Sequence, residues 1–332
     1  MEAEASAANR PLVSMVLLAY NQAAFVGEAI AAALAQSYRP LEIVISDDAS
    51  TDGTWAAIEA AVAGYDGPHA VVLNRNSVNL GIGAHLNRMV GLASGELLAV
   101  AAGDDVSLPG RCEQTVAAWL EAGRRPDLVA GALVDVDEHG TAHGVIVPSD
   151  LATYRNAADW LAHPPFVVGA SQAWTRRLYD RFGPFAAGTT AEDQLMVFRA
   201  IVSGGALTLP VPLVRYRRGG VSRRRRTLHA RDVVARLLAN NRSALVQLPQ
   251  LLADATRAGQ LDAVEPALRR QLAREEFIRD AFAAHGTSRK VAIAMAAGAV
   301  PLATRLRVLA YAAFPASLAP WFALKRWRAG RR

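Results

Sequence analysis

Three places in the sequence set acidic residues side by side, an arrangement that is costly unless a donor or a cation offsets the repulsion. In Ser46-Asp47-Asp48-Ala49-Ser50-Thr51-Asp52-Gly53-Thr54 the later residues read as N-caps of a following helix, which leaves Asp47 and Asp48 as either solvated strand-end acids or binding groups. In Ala102-Gly103-Asp104-Asp105, with no Cys or His nearby, the carboxylates are hard-oxygen ligands of the kind that share Mg2+ or Mn2+ with phosphate. The plain alternative there is a turn closing onto Pro109. Glu192-Asp193 follows Gly188-Thr189-Thr190 and precedes an amphipathic run, so it reads as a capping arrangement or as a helix-start carboxylate able to serve as general base toward a hydroxyl.

The elements that must position these groups alternate. Val13 to Ala19 is a short apolar run without helical spacing and predicts a buried strand; helical spacing follows over Ala23 to Gln36. Leu41 to Ser46, Ala70 to Leu73 and Leu97 to Ala101 predict further strands, with helices over Gly53 to Ala63, Gly83 to Ala93 and Arg111 to Ala122. Asp127 to Val134 reads as a strand and is followed by a less regular region, rich in Gly, Pro and aromatics, up to about residue 190. Strands alternating with helices imply an α/β fold, a mostly parallel sheet covered on both faces, with ligands beyond the carboxyl ends of its strands. Two of the acidic pairs fall at such ends. From Ala230 the pattern is helical, with Val233, Val234, Leu237, Leu238, Leu245 and Leu248 on one side of a first helix and Leu268, Leu272 and Phe282 in a second.

Composition narrows the function classes. With 332 residues, 52% of them hydrophobic and 20% charged, the chain is neither disordered nor collagenous. A lone cysteine, Cys112, excludes an internal disulfide framework and multi-thiolate zinc modules. Residues 1–214 hold 12 Lys+Arg against 23 Asp+Glu, and residues 215–332 hold 24 against 7, so an acidic body carries a basic segment suited to a polyanion or an anionic membrane. The acidic first ten residues lack the layout of a signal peptide, so the expected location is the cytoplasm. Val291 to Ala303 is too short to span a bilayer, and Val308 to Leu324 is interrupted by Pro315 and Pro320.

Taken together, these segments resemble the family 2 glycosyltransferases, enzymes of the GT-A fold that use nucleotide sugars. The resemblance covers about residues 11–222 and is carried in order by Val13 to Asn21, Glu28 with Gln36, Asp47 to Thr54, Asn79-Leu80-Gly81-Ile82-Gly83 with Asn87, Ser94-Gly95-Glu96, Gly103-Asp104-Asp105 with Leu108-Pro109, Gly183-Pro184-Phe185, and Glu192-Asp193. A dinucleotide-binding fold is disfavoured because the first strand leads into Ala19-Tyr20-Asn21-Gln22, without a glycine turn.

The resemblance implies that Tyr20 and Asp48 contact the nucleobase and ribose, with Asp47 supporting them and Ala19, Asn21 and Asp104 completing the nucleotide site. It implies Asp104 and Asp105 as ligands of Mg2+ or Mn2+, Asp193 as catalytic base, and Glu192 and Trp174 on the acceptor side. The sequence departs from the family pattern twice. Ala102 stands where many relatives have a first Asp, and Arg217-Arg218-Gly219-Gly220-Val221-Ser222 lacks the His that many relatives carry before the Ser. Arg217, Arg218 and Ser222 are accordingly expected to form a lid that holds the diphosphate by charge. The implied activity is inverting transfer from a nucleotide sugar, UDP- or dTDP-linked, to a hydroxyl of a cell-envelope glycan or lipid-linked acceptor at the inner face of the cytoplasmic membrane. The alternative is a non-catalytic nucleotide-sugar or polyanion binder on the same fold.

The expected organisation is a flexible N-terminus over residues 1–10, a GT-A domain over 11–222 with halves meeting near 108, and a basic helical region over 223–332. Arg223 to Arg226 reads as a solvated loop, a phosphate-clasping lid or a membrane-surface patch, and Trp321, Phe322 and Trp327 with the cations around them suit an anionic bilayer interface or a tail packed on its own domain. No nucleic-acid partner is expected, since the arginine run has no interleaved aromatics. His85, His163 and His229 read as capping or surface residues, and Trp160 and Trp174 as core residues with a sugar-stacking alternative.

Overall fold

In the computed structural model, which describes residues 10–218 and 230–313, the first apolar run is β1 (Val13–Ala19), and its alternation decides what covers each face. Val13, Met15, Leu17 and Ala19 enter a core with Val26, Ala29, Ile30 and Ala33 of α1 (Val26–Leu34), Ile58 of α2 (Thr54–Val62), and Cys112, Val116 and Trp119 of α4 (Arg111–Glu121). Outside that core α3 (Ile82–Leu92) packs on β1 and on β2 (Leu41–Asp47), burying Leu86, Met89 and Val90. Strands buried on both faces are continuous apolar runs, which is why β1 and β2 are legible without a period.

The strands form one nine-stranded sheet in the order β3-β2-β1-β4-β8-β6-β9-β5, with β7 on β6. Here β3 is Ala70–Arg75, β4 Leu97–Ala102, β5 Val106–Ser107, β6 Leu128–Val136, β7 Ala142–Ile146, β8 Gln172–Thr175 and β9 Ala206–Arg217. The first four pair in parallel, β8 runs antiparallel between β4 and β6, and β9 returns parallel to β6. The region expected to be irregular contains β7, β8, α5 (Ala157–Ala162) and α6 (Arg176–Phe182). Pro210 and Pro212 conceal β9, since proline argues against a paired strand. The pairing register with β6 shifts where these prolines lie, between Gly131 and Leu133, so the irregularity absorbs the residues that cannot donate.

Behind the site, α7 (Glu192–Ile201) buries every residue from Leu195 to Ile201. A helix buried on all sides, with Arg199 held by the Gly183 carbonyl at 2.9 Å, is a core helix, so its first residues are rigidly presented.

The chain divides into two compact units, Met1–Arg223 and Arg224–Arg332. In the second, α8 (Ala230–Arg257) and α9 (Leu261–Ala283) pair, and the Asn241 amide donates to the Glu275 carbonyl and carboxylate at 2.8 Å each. α10 (Thr287–Ala296) and α11 (Leu302–Ala313) close a core of Phe277, Ile278, Ala281, Ala294, Val300 and Val308. The expectations for Ser222, Arg223 to Arg226, His229 and the Trp321 to Arg332 tail fall outside the described residues, as does all of the N-terminal segment before Arg10.

Candidate active site

Strand register brings the first two acidic segments together. Ala19 lies opposite Asp47, and Leu18 opposite both Ser46 and Ala102, so the chain leaves β1, β2 and β4 at one level. The Asp48 N–H donates to the Ala19 carbonyl at 2.9 Å and the Gly103 N–H to the Leu18 carbonyl at 2.8 Å. Gly103 is required by this approach: a Cβ there would stand 2.6 Å from Gln22 Oε1 and 3.2 Å from Ala19 Cβ. Tyr20, 47% exposed, is the large aromatic left at the opening.

The residues expected to cap α2 mostly serve another purpose. Gly53 is the N-cap, without a side-chain bond. Ser50 Oγ donates to Asp47 and accepts the Asn21 N–H at 2.8 Å, while Asn21 Oδ1 accepts the Thr51 N–H at 2.9 Å. Asp52 does accept the Thr54 N–H, at 2.9 Å, and it also accepts the Ala23 N–H at 3.2 Å. The loops after β1 and β2 are thereby stitched into one rigid floor. Asp47, fully buried, accepts from Ser50 and forms an ion pair with Arg75 Nε at 3.3 Å. Asp48 accepts the Asn76 amide at 2.8 Å and the Leu80 and Gly81 N–H groups at 2.9 Å each, and so fixes the loop that opens α3. His85, expected at a cap or on the surface, is buried with Nε2 2.6 Å from Ser46 Oγ, and burial lowers its pKa, so it is a neutral core residue.

Asp104 and Asp105 face different surroundings. Burial raises the Asp104 pKa against the pull of Arg217 and a hydrogen bond from the Gln22 side chain. Asp105 is more deeply buried; desolvation and the neighbouring Asp104 push it up to about 7, while its Oδ1 accepts the Arg217 N–H at 2.8 Å. The Arg217 guanidinium donates to the Asp104 carbonyl at 3.1 Å, to the Glu138 carbonyl at 3.1 Å and to Glu28 Oε2 at 2.7 Å, and stacks 4.6 Å from the Phe25 ring centroid. Arg218 forks onto Asp135 through Nε, 2.7 Å, and Nη2. Arg217 is thus engaged inside the fold, whereas Arg218 pairs with Asp135 at the surface.

The third pair lines a small cavity of about 10 Å³ whose other walls include Leu86, Val100, Gln172, Trp174, Phe185 and Met196. Val100 belongs to β4, which ends at Ala102, two residues before Asp104. The N-cap of α7 is Ala191, which makes no side-chain bond, and both Glu192 and Asp193 lie in the first turn. Asp193 Oδ1 accepts the Gln194 N–H at 2.8 Å, and Gly169 packs so closely that a Cβ there would lie 3.2 Å from Asp193 Cβ. Burial raises the Asp193 pKa. Glu192 Oε2 is buried with no hydrogen-bond partner, and desolvation with Asp193 beside it pushes the carboxyl up to about 8.

Trp174 is buried and stacked on Tyr179 at 6.1 Å, and Trp160 meets Phe198 edge-on at 4.8 Å; both are core residues, although Trp174 also walls the pocket. Asn87 anchors the Gly183-Pro184-Phe185 turn, donating to the Phe185 carbonyl and accepting its N–H at 2.9 Å each. Gly169, Gln172 and the Arg217–Glu28 pair escape the sequence reading, since no local pattern joins residues this far apart; a buried arginine beside an acidic strand end is the nearest signal. Among the described residues no three His, Cys, Asp or Glu side chains gather to hold an ion by themselves. The residues nonetheless fit a hard divalent ion: Mg2+ and Mn2+ need one or two carboxylates when water and phosphate complete the shell, and Asp104 is a half-buried carboxylate short of compensation.

Comparison with known proteins agrees with this architecture. The family model described as glycosyl transferase family 2 matches residues 14–180. A putative glycosyltransferase, EpsE, of Bacillus subtilis (strain 168) is 36% identical over 139 residues, 42% of this chain and 49% of that protein. An uncharacterized glycosyltransferase of Haemophilus influenzae is 34% identical over 108 residues, 32% of each chain. The matched part thus spans about half and about a third of these relatives' lengths. Among solved structures, S. aureus TarS 1-349 in complex with UDP-GlcNAc aligns over 90% of both chains with a TM-score of 0.56 and 16% identity. Mannosyltransferase PcManGT from Pyrobaculum calidifontis, in complex with GDP-Man and Mn2+, aligns over 94% of this chain and 88% of its own with a TM-score of 0.53 and 20% identity. Likeness at these identities is likeness of fold, and the fold is GT-A. The family match extends over half the sequence and contains both strand-end acidic segments: this chain belongs to glycosyl transferase family 2.

Proposed function

We propose that this chain transfers a sugar from a nucleoside-diphosphate sugar to an acceptor hydroxyl in one inverting displacement, with Asp193 as general base. The observation that carries the reading is the placement of Asp193 in a small cavity walled by Val100 of β4, the strand that ends at Ala102, two residues before Asp104. The floor between β1 and β2 offers Tyr20 for the base and the buried Asp47-Asp48 pair to shape the nucleoside end. The acceptor oxygen forms a bond to the anomeric carbon, the bond from that carbon to the diphosphate oxygen breaks, and the electron pair leaves with the diphosphate. The acceptor proton passes to Asp193. A carboxylate whose pKa is raised by burial is a stronger base than a solvated one.

Asp104 would hold Mg2+ or Mn2+, with Asp105 behind it; such an ion, when bound, offsets charge that grows on the leaving diphosphate. The engaged state of Arg217 and Arg218 favours a role in holding the Asp104-Asp105 turn and the β9 end over a direct clasp on phosphate. Structural neighbours in complex with UDP-GlcNAc and GDP-Man support a nucleotide-sugar donor. The acceptor class we favour is a glycan or lipid-linked hydroxyl of the cell envelope.

The test is Asp193→Asn, which keeps shape and removes the base. Turnover of a UDP-sugar falls by about 10²–10⁴ while donor affinity, read by calorimetry, stays within a few-fold. Unchanged turnover overturns the assignment. The two departures from the family pattern, Ala102 and the lack of a His before Ser222, favour a second reading, a non-catalytic binder. That reading predicts donor binding with no hydrolysis or transfer in the unmodified chain.

A further inference from the structure

The second unit carries a surface the transfer reaction does not use. On α10, Val291 and Met295 stand one turn apart and are 41% and 75% exposed; on α11, Leu302 and Leu306 are again one turn apart and 60% and 58% exposed. On α11 the pair lies away from the buried face, since Val308 enters the core, and on α10 the pair flanks Ile293 and Ala294, which pack toward the core. Exposed Arg289 flanks the first pair and exposed Arg307 the second. Lys290 and Arg305 strap the two helices, Nζ donating to the Ala312 carbonyl at 2.6 Å and Nη1 to the Ala294 carbonyl at 3.1 Å, so the pair is a fixed platform. Single exposed apolar residues need no explanation, but four large ones on two adjoining helices do.

Charge identifies the occupant. After Asp280 the chain has nine Lys and Arg residues and no Asp or Glu. A second copy would present the same positive face and be repelled, whereas an anionic bilayer complements both the apolar stripes and the arginines at their margins, whose stems can lie along the lipid while the heads stay at phosphate level. No helix among the described residues is long and apolar enough to cross a membrane, which leaves a surface-lying mode.

We propose that the exposed face of α10 and α11 docks this protein on an anionic lipid surface, with Val291, Met295, Leu302 and Leu306 entering the headgroup boundary and Arg289 and Arg307 meeting lipid phosphates. The proposal is independent of the transfer reaction. It is tested on the full chain by co-sedimentation with vesicles of equal parts phosphatidylglycerol and phosphatidylcholine, and with vesicles of phosphatidylcholine alone. The chain partitions to the anionic vesicles only, and raising salt weakens the partition. The combined Met295→Ser, Leu302→Ser and Leu306→Ser variant lowers it about tenfold, and Arg289→Glu with Arg307→Glu lowers it to a similar extent. Because Cys112 is buried and its thiol pushed up to about 12, Met295→Cys accepts an environment-sensitive thiol label at one site, and its emission shifts to the blue on anionic vesicles. Undiminished partition of the serine variant with no spectral shift overturns the proposal. So does a serine variant that changes the sedimentation coefficient in the absence of lipid, which assigns the face to another protein copy.

Discussion

Glu192 and Asp193 are neighbours on α7 with opposite hydrogen-bond states: Asp193 has the Gln194 N–H, whereas Glu192 Oε2 is buried without a partner. Glu192, with its carboxyl at about 8, is the neutral member at pH 7 and can donate where Asp193 accepts. The linkage has a definite sign. Between the ordinary glutamate value of 4.5 and about 8 the folded chain keeps a proton that the unfolded chain has lost, so this group's contribution falls as pH rises through that window. The slope is at most about 1.4 kcal/mol per pH unit. Glu192→Gln removes it: urea unfolding shows the variant gaining on the parent chain from pH 5 to pH 8. An unchanged difference across that range contradicts the neutral assignment. At this scale the sequence reveals the acids themselves, because two carboxylates side by side are conspicuous. Their states were hidden, since the donors that satisfy Asp48 come from Asn76, Leu80 and Gly81 and the desolvation of Glu192 comes from distant walls.

Between elements, Arg217 acts as the fastener. It joins the end of β9 to the Asp104-Asp105 turn, to Glu28 of α1 and to the carbonyl of Glu138, and its side chain is only 8% exposed. Losing one partner of a buried ion pair costs about 3–5 kcal/mol, and since the Glu28 side chain is 57% exposed, about 1–3 kcal/mol is expected here. Arg218, half-exposed on Asp135, forms a surface pair that contributes little to stability. Urea unfolding of Arg217→Met and Arg218→Met therefore separates them, and donor affinity drops in the first alone; equal losses in both contradict the fastener role. The parallel strands and α1 to α4 were legible because buried apolar runs and helical spacing are local. β9 was not, because its two prolines signal a break and only the irregular pairing with β6 reconciles them. The residue types at Arg217 and Arg218 pointed to phosphate; the partners of Arg217 turn it inward, and Arg218 pairs with Asp135 at the surface.

At the scale of the whole molecule, an acidic catalytic unit is joined to a basic helical one, and the charge division of 12 Lys+Arg against 23 Asp+Glu before residue 215 and 24 against 7 after it was plain in the sequence. In the proposed mechanism the carboxylates around the diphosphate would need a counter-charge, and with Arg217 and Arg218 paired to other groups an ion at Asp104 would supply it. EDTA accordingly stops turnover and Mn2+ restores it; full turnover in EDTA contradicts the ion's part. The most direct test of the central claim is a crystal structure with a UDP-sugar and Mn2+. The account predicts the nucleoside between Tyr20 and Asp48, the diphosphate at Asp104 and the sugar within hydrogen-bonding reach of Asp193. A donor seated in a cavity that leaves Asp193 and Asp104 on separate sides contradicts it.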